Sequence, residues 1–379
     1  MNSDLKQMLK ISKAVFNAYK LLDITVENVN EDAFLDAANA IDNNIVPVLF
    51  GVKNSKAIGR KYINNLTRHK AYIWNTIDKM SDGGRAADMM LNNPLTGKIM
   101  TGSSSATAVN VLYGINDAGI CSDGGGSVLA PALSLNLYSI MAKGMGLNAD
   151  YSKKSTDGID FTAGIGVISH SLKVAADCIY KMGAVNLENY GYSGDGKFNE
   201  VRIAVPHYKN IILPTGEDMR KCLDKTVCFM KENGAEVYEE DFPDFNDRRD
   251  SIKKVKKLLE RYDVLITFEG PVDFEGLGDS VFGNMGSFAK EMQLKSGKYI
   301  VKIANMVGAT AVTIPADEAA SGIVMVCGEG IYNGIRLIHI AEKLSAQYVM
   351  PETYVSYFKN SYLRRKNDFI FSTDGDEDL

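Results

Sequence analysis

No run of about eighteen uninterrupted apolar residues, the length a membrane-spanning helix needs, occurs in this 379-residue chain, and its amino terminus, MNSDLKQMLK, has no apolar segment of the export type. A cytoplasmic protein without membrane contact is expected. Charge of one sign is not in excess either: 42 basic residues stand against 47 acidic ones, a net charge of -5, and the basic residues are scattered instead of striped. That removes the electrostatic footprint of nucleic-acid binding. Cys121, Cys178, Cys222, Cys228 and Cys327 are an odd set without C-x-x-C spacing, most of them within apolar runs. Buried free thiols are expected and a zinc site is not. With no internal repeat and no low-complexity linker, residues 1–372 read as one domain and the acidic TDGDEDL at 373–379 as a disordered tail.

What is present suits a globular chain. Hydrophobic residues at 45% and charged residues at 23% are ordinary proportions that allow a substantial core. Strand and helix patterns alternate, which predicts an α/β fold with a layered mixed sheet. NIVPVLFGV (44–52) and VRIAVP (201–206) read as strands, short, β-branched and bounded by Gly or Pro. Between Thr215 and Asn233 the apolar positions Met219, Cys222, Leu223, Val227 and Met230 recur at helical spacing, with Thr215 and Asp218 as a capping box and Gly234 as the stop. One amphipathic helix is expected there. A strand at 235–239, a helix at 249–262 and a strand at 263–268 follow, and the turn-rich stretch 181–200 reads as a crossing between two halves of one sheet.

Two partial motifs fail on their surroundings. GYSGDGK at 191–197 begins like a phosphate-binding loop, yet Phe198 replaces the required Ser or Thr and a strand pattern follows. It reads as a turn. Ser251 and Lys254 have the S-x-x-K spacing of a nucleophile and its lysine, but on a Lys-rich, solvent-facing helix pattern.

Three other segments gain weight together. TGSSSATAVNVL at 101–112 is a Gly-Ser turn entering a helix, and SDGGGSVLAP at 122–131 places three glycines before Ser127. Alone, the first is an ordinary N-cap and the second a flexible connection. VPVLFGVKNS at 46–55 puts Lys53 at the end of an apolar strand. A lysine there is either a surface charge or, if partly buried, an amine held uncharged and able to act as a base.

In their order, Lys53, then Ser103 in TGSSSA, then Ser127 in SDGGGSVLAP, these segments resemble the amidase signature family, with its G-V-K-D, G-G-S-S-G-G and G-x-D-x-G-G-S elements and its Lys, cis-Ser, Ser triad. The similarity extends over most of the chain: GIGVISHSLKVAADCIYKMGAV, VRIAVP with a helix ending in NGAEV, and NMVGATAVTIP at 305–315 resemble further family elements. The resemblance implies a central mixed β-sheet covered by helices on both faces. It implies Ser127 as nucleophile, Ser103 as a bridging serine after a cis peptide bond, Lys53 as base, and the backbone N–H groups of Gly124, Gly125 and Gly126 as an oxyanion hole. Ser104 and Asp123 take supporting places.

The implied activity is hydrolysis of a small-molecule carboxamide through an acyl-enzyme, with no metal, no organic cofactor and none of the four histidines in the triad. The alternatives are a non-catalytic scaffold and a glutaminase-type subunit of an amidotransferase, and a homodimer is compatible with the reading. Departures from the family pattern cluster around the triad. Asn54 replaces an Asp, Ser105 and Ala106 replace two glycines, Leu129 replaces an Arg, and the Lys53–Ser103 interval is short. The loops 81–100 and 269–298 are the candidate walls of the pocket.

Overall fold

The computed structural model describes residues 3–190 and 198–359. The GYSGDGK segment and the acidic tail lie outside them. In chain order the strands among the described residues are β1 (Val26–Val29), β2 (Val48–Lys53), β3 (Tyr72–Asp78), β4 (Ala87–Asn92), β5 (Ile99–Thr101), β6 (Ala118–Asp123), β7 (Tyr138–Met141), β8 (Asn148–Lys154), β9 (Asp160–Ser169), β10 (Arg202–Pro206), β11 (Glu236–Glu240), β12 (Val264–Glu269), β13 (Thr310–Pro315) and β14 (Gly322–Cys327). One mixed sheet takes the order β1-β3-β2-β6-β9-β7-β13-β14-β12-β10-β11, with β8 added on β9, while β4 and β5 form a separate pair. β2 runs parallel to β3 and β6, and β10 parallel to β11 and β12. The strands from β6 through β9, β7, β13 and β14 to β12 pair antiparallel.

β6, β12, β13 and β14 are buried at every position. A strand with one wet face would alternate, so both faces of the sheet's centre are covered. The covering helices include Ser105–Leu112 on β6, Leu129–Ser134 on β7 and β13, Leu172–Met182 on β7 and β9, and Ile331–Ser345 on β13 and β14. Leu172, Ala175, Ala176, Ile179 and Met182 form the buried stripe of one of them, and the Ser171 side chain caps it by accepting the Val174 N–H at 3.4 Å. No helix among the described residues is long and apolar enough to cross a membrane.

Local structure departs from the sequence pattern at three places. The helix expected over 215–233 is two, Met219–Cys222 and Asp224–Glu232. Residues 213–217 close a turn of their own, Leu213 N–H to Glu217 O at 2.8 Å, and the Thr215 hydroxyl turns to Glu217, leaving Asp218 to cap the Arg220 N–H at 3.0 Å. β2 starts at Val48, not at 44, because Asn44 at φ 58° and the Ile45 N–H bonded to Ala40 O finish the preceding helix Ala33–Asp42. Of the cysteines, Cys121, Cys178 and Cys327 are buried, Cys222 is half-buried, and Cys228 is exposed.

The stretch 181–200, read as a crossing between two halves of the sheet, lies partly outside the described residues; the strand before it, β9, is at mid-sheet and the strand after it, β10, is near the far edge. Ser251 is buried with its Oγ donated to Asp247 O at 2.6 Å, while Lys254 pairs with Asp250 at 3.3 Å. The S-x-x-K pair is thus taken up in helix structure.

Candidate active site

Parallel pairing of β2 with β6, Val52 opposite Ile120, brings the carboxyl ends of both strands to one edge of the sheet. In open α/β sheets that edge is where ligand-binding side chains converge. Lys53 is the last residue of β2 and is 2% exposed, so its burial is complete where the sequence suggested partial. Its Nζ donates to Ser103 Oγ at 2.6 Å and to the Ser122 carbonyl at 3.2 Å. Burial lowers its pKa to about 8, with the neighbouring Cys121 and Asp123 pulling weakly the other way.

Ser103 sits between β5 and the helix Ser105–Leu112. Gly102 has φ 74°, and a Cβ on it would stand 2.6 Å from the Pro131 ring. Backbone bonds from Gly102 N–H to Ala86 O, 2.7 Å, and from Ser81 N–H to Ser103 O, 3.3 Å, hold the turn. The cis bond expected before Ser103 is not there: that peptide is trans, and the cis bond among the described residues is Gly270–Pro271. Gly102 in the left-handed region makes the reversal instead, and Ser103 Oγ reaches Lys53 without a cis bond. Ser104 is fully buried at the N-cap position of the same helix and lines neither cavity beside Ser127.

Ser127 follows β6 in a turn wound around one carboxylate. Asp123 is fully buried; its Oδ1 accepts the Gly126 N–H at 2.7 Å and its Oδ2 the Val128 N–H at 2.6 Å. Burial pushes the Asp123 carboxyl up, and these N–H groups and the Lys53 charge draw it back. Gly126, at φ 101°, sits where a Cβ would meet the Val301 carbonyl at 3.0 Å. The bond to Asp123 corrects the expected oxyanion hole, since a donor already committed to a carboxylate cannot also point at a substrate oxygen. The N–H of Ser127 has no acceptor among the described residues. Ser127 Oγ itself accepts the Ser103 N–H at 3.4 Å.

Two supporting groups escaped the sequence reading. Asn305 is fully buried, donates through Nδ2 to Gly124 O and Thr162 O, both at 3.1 Å, and accepts the Gly164 N–H at 2.8 Å. It fixes the first glycine of the turn. Its signal was the Asn and Gly just before the apolar strand in NMVGATAVTIP. Asp78 is the register partner of Lys53, its Oδ1 accepts from Thr76 and from Asn110 at 2.7 Å each, and burial pushes it up to about 6. No local pattern marks that network.

Two cavities meet at Ser127. The larger, about 610 Å³, is lined by Lys53, Ser103, Gly124, Gly125, Phe161 and Met306 among others. The smaller, about 320 Å³, lies toward Gly126, Ala130, Phe245, Arg248 and Lys302. The loops picked out as walls contribute Gly83 to Ala86 from one side and Gly278 to Val281 from the other, joined by the Arg85–Asp279 ion pair at 3.0 Å. A hydroxyl beside free N–H donors, a second hydroxyl, and an amine easily deprotonated can together run nucleophilic acyl transfer.

No protein-family model matches the sequence, and no curated protein matches it. The fold, however, matches solved structures. An amidase crystal structure aligns with a TM-score of 0.60 at 13% identity, covering 90% of this chain and 96% of that one. A 6-aminohexanoate cyclic dimer hydrolase gives 0.61 at 13%, covering 93% and 95%. One subunit of the glutamyl-tRNA(Gln) amidotransferase of Thermotoga maritima gives 0.59 at 15%, covering 92% and 93%. What is shared at such identities is the fold.

Proposed function

We propose that this chain is an amidase that hydrolyses a carboxamide C–N bond through an acyl-enzyme on Ser127. The observation that carries the reading is the buried contact of Lys53 Nζ with Ser103 Oγ at 2.6 Å, with Ser127 Oγ bonded to the same Ser103 through its N–H. The amidase fold of its structural neighbours supports it.

In its reactive form, the minor one at pH 7, Lys53 is a neutral amine and accepts the Ser103 hydroxyl proton. Ser127 Oγ passes its own proton to Ser103 as it attacks the carbonyl carbon. Catalytic hydrogen bonds tighten when substrate binds, so the two hydroxyls close on each other at that stage. The N–H groups of Gly124, Gly125 and Ser127 hold the tetrahedral oxygen, whose negative charge is new in the transition state and is met by donors already aimed at it. Ser103, recharged from the Lys53 ammonium, then protonates the leaving nitrogen as the C–N bond breaks. Water repeats the sequence on the ester, giving the acid and free Ser127.

A panel of small amides, assayed for released ammonia or amine, tests this. Turnover of at least one is expected, with kcat/KM rising as pH passes through about 8, because Lys53 must be uncharged and burial sets its pKa there. The base form grows from roughly a tenth at pH 7 to about half at pH 8. A folded protein inert toward every amide, or a rate falling across that window, would contradict the proposal.

A further inference from the structure

The smaller cavity, which Ser127 lines and Lys53 does not, is lined by cations: Arg248, Arg249, Lys290, Lys298 and Lys302, against Asp157 and Asp247. Several of these charges are already answered. Lys298 is buried against Asp273 at 2.8 Å, Arg248 holds Asp157 at 3.0 and 3.3 Å, and Asp247 caps the helix Arg248–Arg261 by accepting the Asp250 N–H at 2.9 Å. Arg249 and Lys290 are exposed on the rim and donate to neutral oxygens, the Asp157 carbonyl at 3.0 Å and Gln293 Oε1 at 3.1 Å.

Lys302 is different. It is partly buried, has no ion-pair partner among the described residues, and its Nζ donates to the Phe245 carbonyl at 3.2 Å, a residue of the same cavity wall. Its own backbone is pressed against the glycine turn, the Lys302 carbonyl standing 3.4 Å from where a Gly125 Cβ would be. Burial lowers the Lys302 pKa to about 8, although the Glu269 carboxylate, itself buried and held by the Tyr299 and Ile300 N–H groups, draws it back up. An ammonium with donors to spare and no ion pair among the described residues, set in a concave wall beside the nucleophile, is placed to take an anion.

The proton route decides which part of a substrate meets it. The leaving nitrogen is protonated from Ser103 and Lys53, so it occupies the larger cavity that they line, and the acyl chain extends into the smaller one. At about 30 Å³ per water, the cavity's 320 Å³ is roughly ten waters of space, enough for a short chain. We propose that this cavity is an anion-accepting acyl subsite, and that the substrate is an amide of a short dicarboxylic acid whose free carboxylate is held by Lys302, with Arg249 and Lys290 at the rim. The position of the scissile bond rests on the amidase reading; the anion site does not.

The Ser127→Ala protein, titrated calorimetrically with succinamate and with butyramide, separates the two. Succinamate is expected to bind at least about 10-fold more tightly, since a charge-assisted hydrogen bond contributes ~1.5–3 kcal/mol. Adding Lys302→Met should cut that preference by about 10- to 100-fold, and Lys302→Arg should keep most of it. Equal binding of the two amides, no measurable binding of succinamate, or a preference that survives Lys302→Met in a protein with an unchanged melt would overturn the subsite. Should Lys302→Met fail to fold, the preference of the Ser127→Ala protein decides alone. Ammonia release from succinamate by the unsubstituted protein is read separately: preference without release keeps the anion site and removes the dicarboxylic amide as substrate, while a protein also inert toward the whole amide panel removes the amidase reading; release without preference keeps the amidase reading and removes the anion site.

Discussion

Lys53→Ala is expected to lower kcat by about a thousand-fold or more with the fold intact, because the base that touches Ser103 is lost and the proton transfers through it go too. Lys53→Arg should fail to a similar degree. A guanidinium stays protonated above pH 12 and cannot take a proton from Ser103. Stability moves differently from activity. The folded pKa of about 8 lies below the ordinary lysine value of 10.5, so between those two values the unfolded chain binds more protons and stability rises with pH. That slope should be shallower in Lys53→Ala, where Lys302, also lowered to about 8 by burial, still contributes its share. Steady-state rates with thermal melts from pH 7 to pH 10.5 measure both, and a Lys53→Ala protein turning over near the parent rate would require another base.

Leu129→Arg is expected to cost about 3–5 kcal/mol, the range for a buried charge with no partner, and to take turnover down with the fold. Leu129 is fully buried in the main apolar cluster, at the start of the helix Leu129–Ser134. Asp123, the carboxylate that the Leu129 backbone touches, is already taken up by the Gly126 and Val128 N–H groups. The arginine that the sequence pattern would place here therefore has no carboxylate waiting for it. A melting temperature unchanged or raised, with faster turnover, would show that the site still expects an arginine.

Much of the fold was legible because it is written locally. Gly- or Pro-bounded, β-branched runs gave β10 and the end of β2 within a residue or so, and the Lys-rich pattern at 249–262 gave the helix Arg248–Arg261. The juxtaposition of Lys53, Ser103 and Ser127 was approached only through resemblance, since parallel pairing of β2 with β6 is a long-range fact. Where the backbone had a choice, the sequence was silent. That Gly126 gives its N–H to Asp123, and that Gly102 turns the chain through a trans bond, depend on dihedrals that a run of glycines leaves open. Asn305 and Lys302 reach the glycine turn from about 180 residues away, so that even the Asn-Gly pattern at 305–308, which marked an element, did not say what Asn305 touches.

Whether Ser127 forms the covalent bond is most directly measured with a fluorophosphonate probe, which traps an activated serine, followed by peptide mass spectrometry. One adduct is expected, on the peptide carrying Ser127, absent from Ser127→Ala and strongly slowed in Lys53→Ala. An adduct on a different residue, or a folded protein that takes up no label, would contradict Ser127 as the nucleophile and with it the amidase reading.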